Sequence, residues 1–315
     1  MKKILIIMPK FFGYSEILIR ECKKKGFNVS IIYENFNEFV IKYKFGFNNA
    51  KEYNKYYVSK MKETTYDIVL AIRASTLSCD VIDYIKKNSP NAKMYMYQWD
   101  SVANNPNAIK IAHKFDVVMT FDPYDAKKYG WEYRPLFYTE WSPRRDRRQI
   151  DIAYICSLHS KRVNVFNALK EYNNYKEYLY LYSKLSHYIK EKYLKHATEY
   201  QEISDRDVHF KPLSLSQVNE VMRRCNIIVD YTHPQQKGFT MRTCEAIGHH
   251  CKLATNNMEV LKADFYDPNN VYIYDPENFV LPKDFIQCDY RDLEESVYNR
   301  YSVNSWVSEI LHIEE

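Results

Sequence analysis

The sequence predicts an α/β protein made of parallel sheets and connecting helices, and three observations carry this. Short apolar runs alternate with amphipathic stretches through nearly the whole chain, as in βα units whose strands are buried on both faces. The same alternation recurs in both halves of the 315 residues, a length that suits two domains of about 150 residues each. With 46% hydrophobic and 27% charged residues, and only 11 Pro and 6 Gly, the composition excludes a disordered, collagen-like or low-complexity chain.

In the first half, the apolar runs 4–8, 28–33, 67–72, 93–97 and 116–120 are the predicted strands, the first of them stopped by Pro9. Helices are expected over 15–25, 77–88, 107–113 and 123–129. Gly26 sits just past the first helix, where a left-handed residue closes a helix. The second series of strands falls at 151–156, 178–182, 207–210, 226–230, 252–254 and 271–274. Ser214 and Gln217 are spaced as a capping box for a helix running to Arg224, and a closing helix is expected over 303–313. This order gives two Rossmann-like domains, 1–145 and 146–315, joined near the basic stretch Arg144-Arg145-Asp146-Arg147-Arg148. The last helix is expected to pack back on the N-terminal domain. Residues 35–65 break the pattern, because eight Phe and Tyr residues, among them Phe36, Tyr56 and Tyr57, interleave with lysines such as Lys42 and Lys60. An amphipathic helix covering the sheet, a membrane-surface segment and a nucleic-acid platform all fit that interleaving.

No run approaches 18 consecutive apolar residues, so no membrane-spanning helix is expected, and the run at 4–8 is too short for the core of a secretory leader. The seven cysteines are odd in number and contain no C-x-x-C pair. They suggest buried thiols in a reducing compartment, and a cytoplasmic protein is the expectation. Net charge is +5, but residues 1–150 carry 26 Lys+Arg against 16 Asp+Glu, whereas 151–315 carry 19 against 24. The basic half suits a phosphorylated acceptor or an anionic surface, with peripheral contact at the inner membrane face. A solvated lysine-rich surface is the plainer reading. The acidic second half makes nucleic acid a poor partner.

Several chemistries can be struck out. Glycines stand only at 13, 26, 46, 130, 238 and 248, so neither G-x-G-x-x-G nor a P-loop can be written. There is no G-x-S-x-G elbow and no H-E-x-x-H. His249-His250-Cys251 point in different directions on a helix and lack a second ligand cluster, so no metal is expected there.

The densest polar constellation runs from Asp230 through Thr232, His233, Gln236, Lys237, Gly238, Thr240, Arg242, Thr243 and Glu245 to Gly248. A strand ends at Asp230 and a helix begins near Thr240, which places backbone N–H groups and a positive helix end beside Lys237 and Arg242. Such a site suits a diphosphate. Gly238 would let the backbone approach a ligand closely. Arg242 and Glu245, three apart, share a helical face. Glu245 then accepts from a vicinal diol such as a ribose, or pairs with Arg242 in a surface salt bridge.

Gln236-Lys237-Gly238-Phe239-Thr240-Met241-Arg242-Thr243-Cys244-Glu245-Ala246-Ile247-Gly248, with Lys252-Leu253-Ala254-Thr255-Asn256-Asn257, resembles the donor-site motif of bacterial GT-B glycosyltransferases of capsule and lipopolysaccharide biosynthesis, and more distantly the spore-coat type. Tyr97-Gln98-Trp99-Asp100-Ser101, Phe121-Asp122 and Arg134-Pro135-Leu136-Phe137-Tyr138 are similar to the same group. The resemblance implies two Rossmann-like domains facing each other across a cleft, with the C-terminal one holding a nucleoside diphosphate sugar, a UDP-sugar by preference. It places Ser157, His159 and Arg162 opposite the diphosphate, and Phe210 and Lys211 beside the nucleobase. Many retaining members carry two glutamates eight positions apart; here Glu245 matches the second, and Lys237 stands at the first. An inverting, metal-independent transfer without cofactor is therefore expected.

Inversion needs a base for the acceptor hydroxyl. Asp100, just past the strand at 93–97, is the expected base, with Asp122 in reserve and Asp122-Pro123 reading equally as a helix start. Tyr97, Trp99 and Arg73 are expected to contact the acceptor, a surface polysaccharide or glycolipid. A sugar-nucleotide epimerase of the same frame and a non-catalytic nucleotide-sugar-binding subunit are the alternatives.

Overall fold

Each predicted strand forms, and every strand pair is parallel. The computed structural model describes residues 1–11, 13–34, 50–61, 65–143 and 148–313. Most of the interleaved segment and residues 144–147 of the basic stretch lie outside the described residues.

The chain divides into two units. The first comprises Met1–Leu136, Gln235–Gly238 and Val303–Glu315; the second comprises Phe137–Pro234 and Phe239–Ser302. The division therefore falls at 136/137 rather than near 145. The stretch 137–143 joins the second unit through Tyr138 N–H to the Tyr301 carbonyl (2.8 Å) and Ser142 N–H to the Gly248 carbonyl (2.9 Å).

In the first unit the elements follow as β1 (Lys3–Met8), α1 (Tyr14–Lys24), β2 (Asn28–Tyr33), α2 (Ala50–Lys60), β3 (Ile68–Ile72), α3 (Cys79–Asn88), β4 (Lys93–Gln98), α4 (Asn107–Ile111), β5 (Val117–Thr120), α5 (Pro123–Tyr129) and β6 (Glu132–Tyr133). The sheet order is β2-β1-β3-β4-β5-β6. Two-residue β6 is too short to show as an apolar run, and the sequence did not mark it. Of the interleaved segment, α2 is described. Its Tyr57 is wholly buried against the sheet core, so the covering-helix reading applies to that part. α3 opens on Ser78 and α5 on Asp122, each a side-chain cap on the helix's first amides.

The second unit continues with β7 (Ile150–Ser157), α6 (Arg162–Leu169), β8 (Glu177–Tyr182), α7 (Leu185–Ile189), α8 (Thr198–Gln201), β9 (Val208–His209), α9 (Leu215–Arg224), β10 (Cys225–Asp230), α10 (Met241–Gly248), β11 (Lys252–Thr255), β12 (Val271–Ile273), α11 (Lys283–Gln287) and α12 (Glu295–Arg300). Its order, β12-β11-β10-β7-β8-β9, is the doubly wound arrangement read from its own first strand. The capping box at Ser214 and Gln217 is present with both bonds made. Lys252 is an unexpected core residue. Its wholly buried ammonium donates to the carbonyls of Phe285 (2.6 Å), Ile286 (2.9 Å) and Cys288 (2.7 Å) at the end of α11. A helix C-terminus carries partial negative charge, which is what a buried cation needs.

The last helix, α13 (Val303–Ile310), buries Val303, Trp306, Val307 and Ile310, spaced three and four apart on one face. It belongs to the first unit. Trp306 stands edge-on to Tyr97 at 4.7 Å between ring centroids, Glu309 pairs with Arg134 (2.7 Å), and the Leu311 carbonyl accepts from Tyr95 Oη (3.1 Å). Truncating a wholly buried Trp leaves a large cavity. Trp306→Ala is expected to destabilise the first unit by about 3–5 kcal/mol, read as a lower urea midpoint for that unit's unfolding transition.

Candidate functional site

In the second unit the strand order reverses between β7 and β10, so their carboxyl ends flank the crevice where open α/β sheets bind ligands. Arg162, the first residue of α6, folds back over it. Its Nη1 donates to the Ser157 carbonyl (3.3 Å) and to His159 Nε2 (2.7 Å), and its Nη2 donates to the Tyr231 carbonyl (3.1 Å). The guanidinium lies 5.6 Å from the Tyr231 ring centroid, and its Nε is buried with no hydrogen-bond partner among the described residues. Donation to Nε2 assigns His159 as the neutral imidazole with its proton on Nδ1, facing Ser160 Oγ at 3.1 Å. Although part of the ring is exposed, desolvation by its neighbours and then the Arg162 charge lower its pKa to about 4.

Asp230 ends β10 and is buried. Its Oδ2 accepts from Thr240 Oγ1 (2.8 Å), Thr243 Oγ1 (3.2 Å) and Thr232 Oγ1 (3.5 Å). Thr240 is also the N-cap of α10, accepting from the Thr243 amide (3.1 Å). One carboxylate thus fixes where α10 starts relative to the sheet. Burial pushes the Asp230 carboxyl up, while the Thr240 bond and the charges of Arg162 and Arg242 pull the other way. Arg242 Nη1 pairs with Glu245 Oε2 at 2.6 Å, and its Nε is buried and unpartnered among the described residues.

Two expectations need correction here. Glu245 is wholly buried in its pair with Arg242, so the i,i+3 salt bridge forms, but inside the protein and not on its surface. That burial leaves Glu245 nothing to offer a ribose in this conformation. Thr243 is equally buried against Asp230. The other donor-side residues are spread out. His233 is half-buried and close enough to lower the His159 pKa. Phe210 is exposed and packs on Tyr188 (5.4 Å), while the Lys211 carbonyl accepts from Tyr180 Oη (2.7 Å).

Gln236, Lys237 and Gly238 group with the first unit. The amides of Lys237 (2.9 Å) and Gly238 (3.2 Å) donate to Asp122 Oδ2, and Gln236 Nε2 donates to the Gly238 carbonyl (3.2 Å). A Cβ on Gly238 would stand 2.5 Å from the Phe121 ring and 2.6 Å from its carbonyl oxygen. The close approach that the structure shows is to Phe121. The other oxygen of Asp122 accepts from the amides of Tyr124 (2.9 Å) and Asp125 (3.3 Å). Four N–H donors on a buried carboxylate leave it no oxygen for an acceptor hydroxyl, and of the two readings of Asp122 the helix start is the one the geometry matches.

In the first unit the order reverses between β1 and β3. Arg73 directly follows β3, and its Nε lies 2.7 Å from Asp100 Oδ2, an ion pair by distance rather than an aligned hydrogen bond. Both side chains are about one-third exposed, 34% and 36%, so the pair is accessible. Trp99 is half-buried beside exposed Phe11 (5.9 Å between centroids). Tyr97 is not part of any such wall. It is wholly buried under Trp306, with its hydroxyl on the Arg134 carbonyl (2.8 Å). Sequence reasoning missed Glu34, which lies just past β2 and is buried near Arg73, because nothing in its neighbours marks a glutamate as internal.

Two doubly wound units with parallel sheets define the GT-B fold. No family model and no curated protein matches the chain. Among solved structures it is similar to a glycosyltransferase from Rickettsia africae (14% identity over 99% of each chain, TM-score 0.54). It is similar also to HepE from Anabaena, solved with UDP and glucose (11% identity over 99% of this chain and 97% of that one, TM-score 0.54). A third is the UDP-GlcNAc 2-epimerase of Neisseria meningitidis (9% identity over 100% of both chains, TM-score 0.54). At these identities the likeness establishes the fold.

The geometry around Arg162 makes a pH prediction. His159 binds its proton less readily folded than unfolded, so between its ordinary value of 6.5 and about 4 the unfolded chain holds more protons. Its contribution to stability is complete above that window and is lost as pH falls through it. An NMR titration is expected to find the His159 midpoint near 4, and Arg162→Ala is expected to move it upward.

Proposed function

We propose that the chain is a glycosyltransferase that moves a sugar from a nucleoside diphosphate donor, a UDP-sugar by preference, to a surface polysaccharide or glycolipid acceptor of the capsule or lipopolysaccharide kind. The observation that carries this is the pair of arginines beside the end of β10 at the switch point of the second unit: Arg162, which donates to the Tyr231 carbonyl, and Arg242, in the first turn of the helix whose cap Thr240 is held by Asp230. Each keeps a buried Nε–H without a hydrogen-bond partner among the described residues. Cations and N–H groups at a helix start stabilise the charge that develops on a leaving diphosphate. In this reading Glu245 orients Arg242 and does not meet the ribose. HepE, of the same fold, was solved with UDP and glucose, which supports the choice of donor.

In the first unit Asp100 is the proposed base. Arg73 holds Oδ2, which leaves Oδ1 to take the acceptor hydroxyl's proton, and Trp99 with Phe11 supplies an aromatic wall for a sugar. With Lys237 where retaining members carry a glutamate, the proposed displacement is a single inverting one, and the two arginines take the role a metal would have. Peripheral contact with the inner membrane face and a cytoplasmic site of action belong to the same proposal. The epimerase likeness favours a second reading, in which the donor sugar is converted without any acceptor.

Thermal-shift screening against UDP, GDP, dTDP, CMP and their sugar conjugates tests the donor assignment. UDP and UDP-sugars are expected to stabilise the protein equally with and without EDTA. Arg162→Ala is expected to weaken that binding about tenfold or more, as loss of a charge-assisted bond does. Asp100→Asn is expected to lower transfer at least about a hundredfold while leaving donor binding intact. No response to any nucleotide would sink the donor site, and full transfer by the Asp100 variant would sink the base assignment. Interconversion of UDP-GlcNAc and its 2-epimer without acceptor would select the epimerase.

A further inference from the structure

The turn that follows β3 is strained and pinned from several sides. Arg73 and Ala74 both have left-handed backbones, φ 69 and 54, and Ala74 is wholly buried. Consecutive non-glycine residues in this region cost free energy, which surrounding contacts must offset. The Arg73 amide donates to the Tyr97 carbonyl (2.9 Å). Asn105 Nδ2 donates to the Arg73 carbonyl (2.5 Å), and Asn107 Nδ2 donates to the carbonyls of Ala74 (2.8 Å) and Leu77 (2.9 Å).

The remaining face of the turn is held by one carboxyl and, at Thr76 Oγ1, by the Tyr57 hydroxyl (2.8 Å). Glu34, 2% exposed, takes the Ser75 hydroxyl (2.7 Å), the Thr76 amide (2.7 Å) and the Thr76 hydroxyl (3.4 Å), all on Oε1. Its Oε2 is buried without a hydrogen-bond partner among the described residues. Burial pushes the Glu34 carboxyl upward, opposed by the bonds from Ser75 and Thr76 and by the Arg73 charge. An acid placed in such a position by its strand end is far from the cheapest way to close a turn. A buried oxygen without a partner costs free energy that a simple surface turn avoids.

We propose that Glu34 is a positioning residue: by clamping the 73–76 turn it holds Arg73 against Asp100, and through Arg73 it sets where the Asp100 carboxylate stands. This deepens the transferase proposal and rests on it for the role of Asp100. Glu34 itself touches no substrate. The chain of action runs from the Glu34 carboxyl to the Ser75 and Thr76 donors, to the left-handed pair 73–74, to the Arg73 guanidinium and so to Asp100. Gln at position 34 would keep an Oε1 acceptor for the same three donors, whereas Met would fill the space and accept nothing comparable.

Two readouts on the full chain test this. The first is hydrogen exchange at the Thr76 amide, which needs no activity. Exchange is expected to be at least about tenfold faster in Glu34→Met than in wild type, and near wild type in Glu34→Gln. The second is UDP release from UDP-glucose. Glu34→Met is expected to lower kcat about tenfold with the donor KM unchanged, Glu34→Gln to restore it, and Glu34→Met combined with Asp100→Asn to be no slower than Asp100→Asn alone. Unchanged Thr76 exchange in Glu34→Met overturns the inference, and so does a loss that adds to that of Asp100→Asn. Wild-type turnover by Asp100→Asn is the failure of the base assignment instead. In that case, or if UDP-glucose is not turned over, the exchange experiment decides whether Glu34 holds the turn.

Discussion

Parallel pairing governs everything else in both units. A parallel neighbour is reached only by a crossover, so helices cover both faces of each sheet and the strands bury side chains in both directions. With its faces sealed, a unit has one place left where polar side chains can gather, the loops at the carboxyl ends of the strands. Asp230, Arg162 and Ser157 gather there in the second unit, and Glu34, Arg73 and Asp100 in the first. The same constraint took Tyr97 out of play. A tyrosine on a central parallel strand has covered neighbours on either side, and Trp306 closes over it.

The strands and most helices were legible because burial on both faces leaves a simple trace, an unbroken apolar run between turn residues. Capping chemistry was legible for the same local reason. Ser214 with Gln217, Asp122 before Pro123 and Thr240 before α10 all act on amides within three residues. What the sequence does not carry is which polar residue is folded inward and by what it is met. Glu34, through Oε1, and Lys252 meet donors and carbonyls some 40 and 33 residues away along the chain, and no local pattern announces either one. Gly238 shows the intermediate case. Its need for close approach was readable from residue type, while the neighbour that demands it, Phe121, comes from a distant part of the chain.

The two strand-end clusters are built on different physics. In the second unit a buried carboxylate takes the hydroxyls of Thr240 and Thr243, and the charges of Arg162 and Arg242 act on it from nearby. Charge is concentrated there in a low-polarity setting, where it acts more strongly than in water. In the first unit the ion pair is exposed to solvent and weak by itself. Its geometry comes from the backbone beneath it, a left-handed pair of residues that the surrounding side chains do not permit to relax.

α13 has a consequence for how the chain comes into being. Its Trp306 completes the core of a unit whose other strands and helices precede residue 137. A nascent chain leaving the ribosome exposes that sheet long before the helix that finishes it has been synthesised. The whole second unit must be translated in between, so the first unit to emerge is the last to be sealed. Tyr97, whose hydroxyl and ring are both enclosed in the finished protein, waits for its cover across some two hundred residues of synthesis. Nascent first units on crowded polysomes therefore share an unsealed apolar face until α13 has been made.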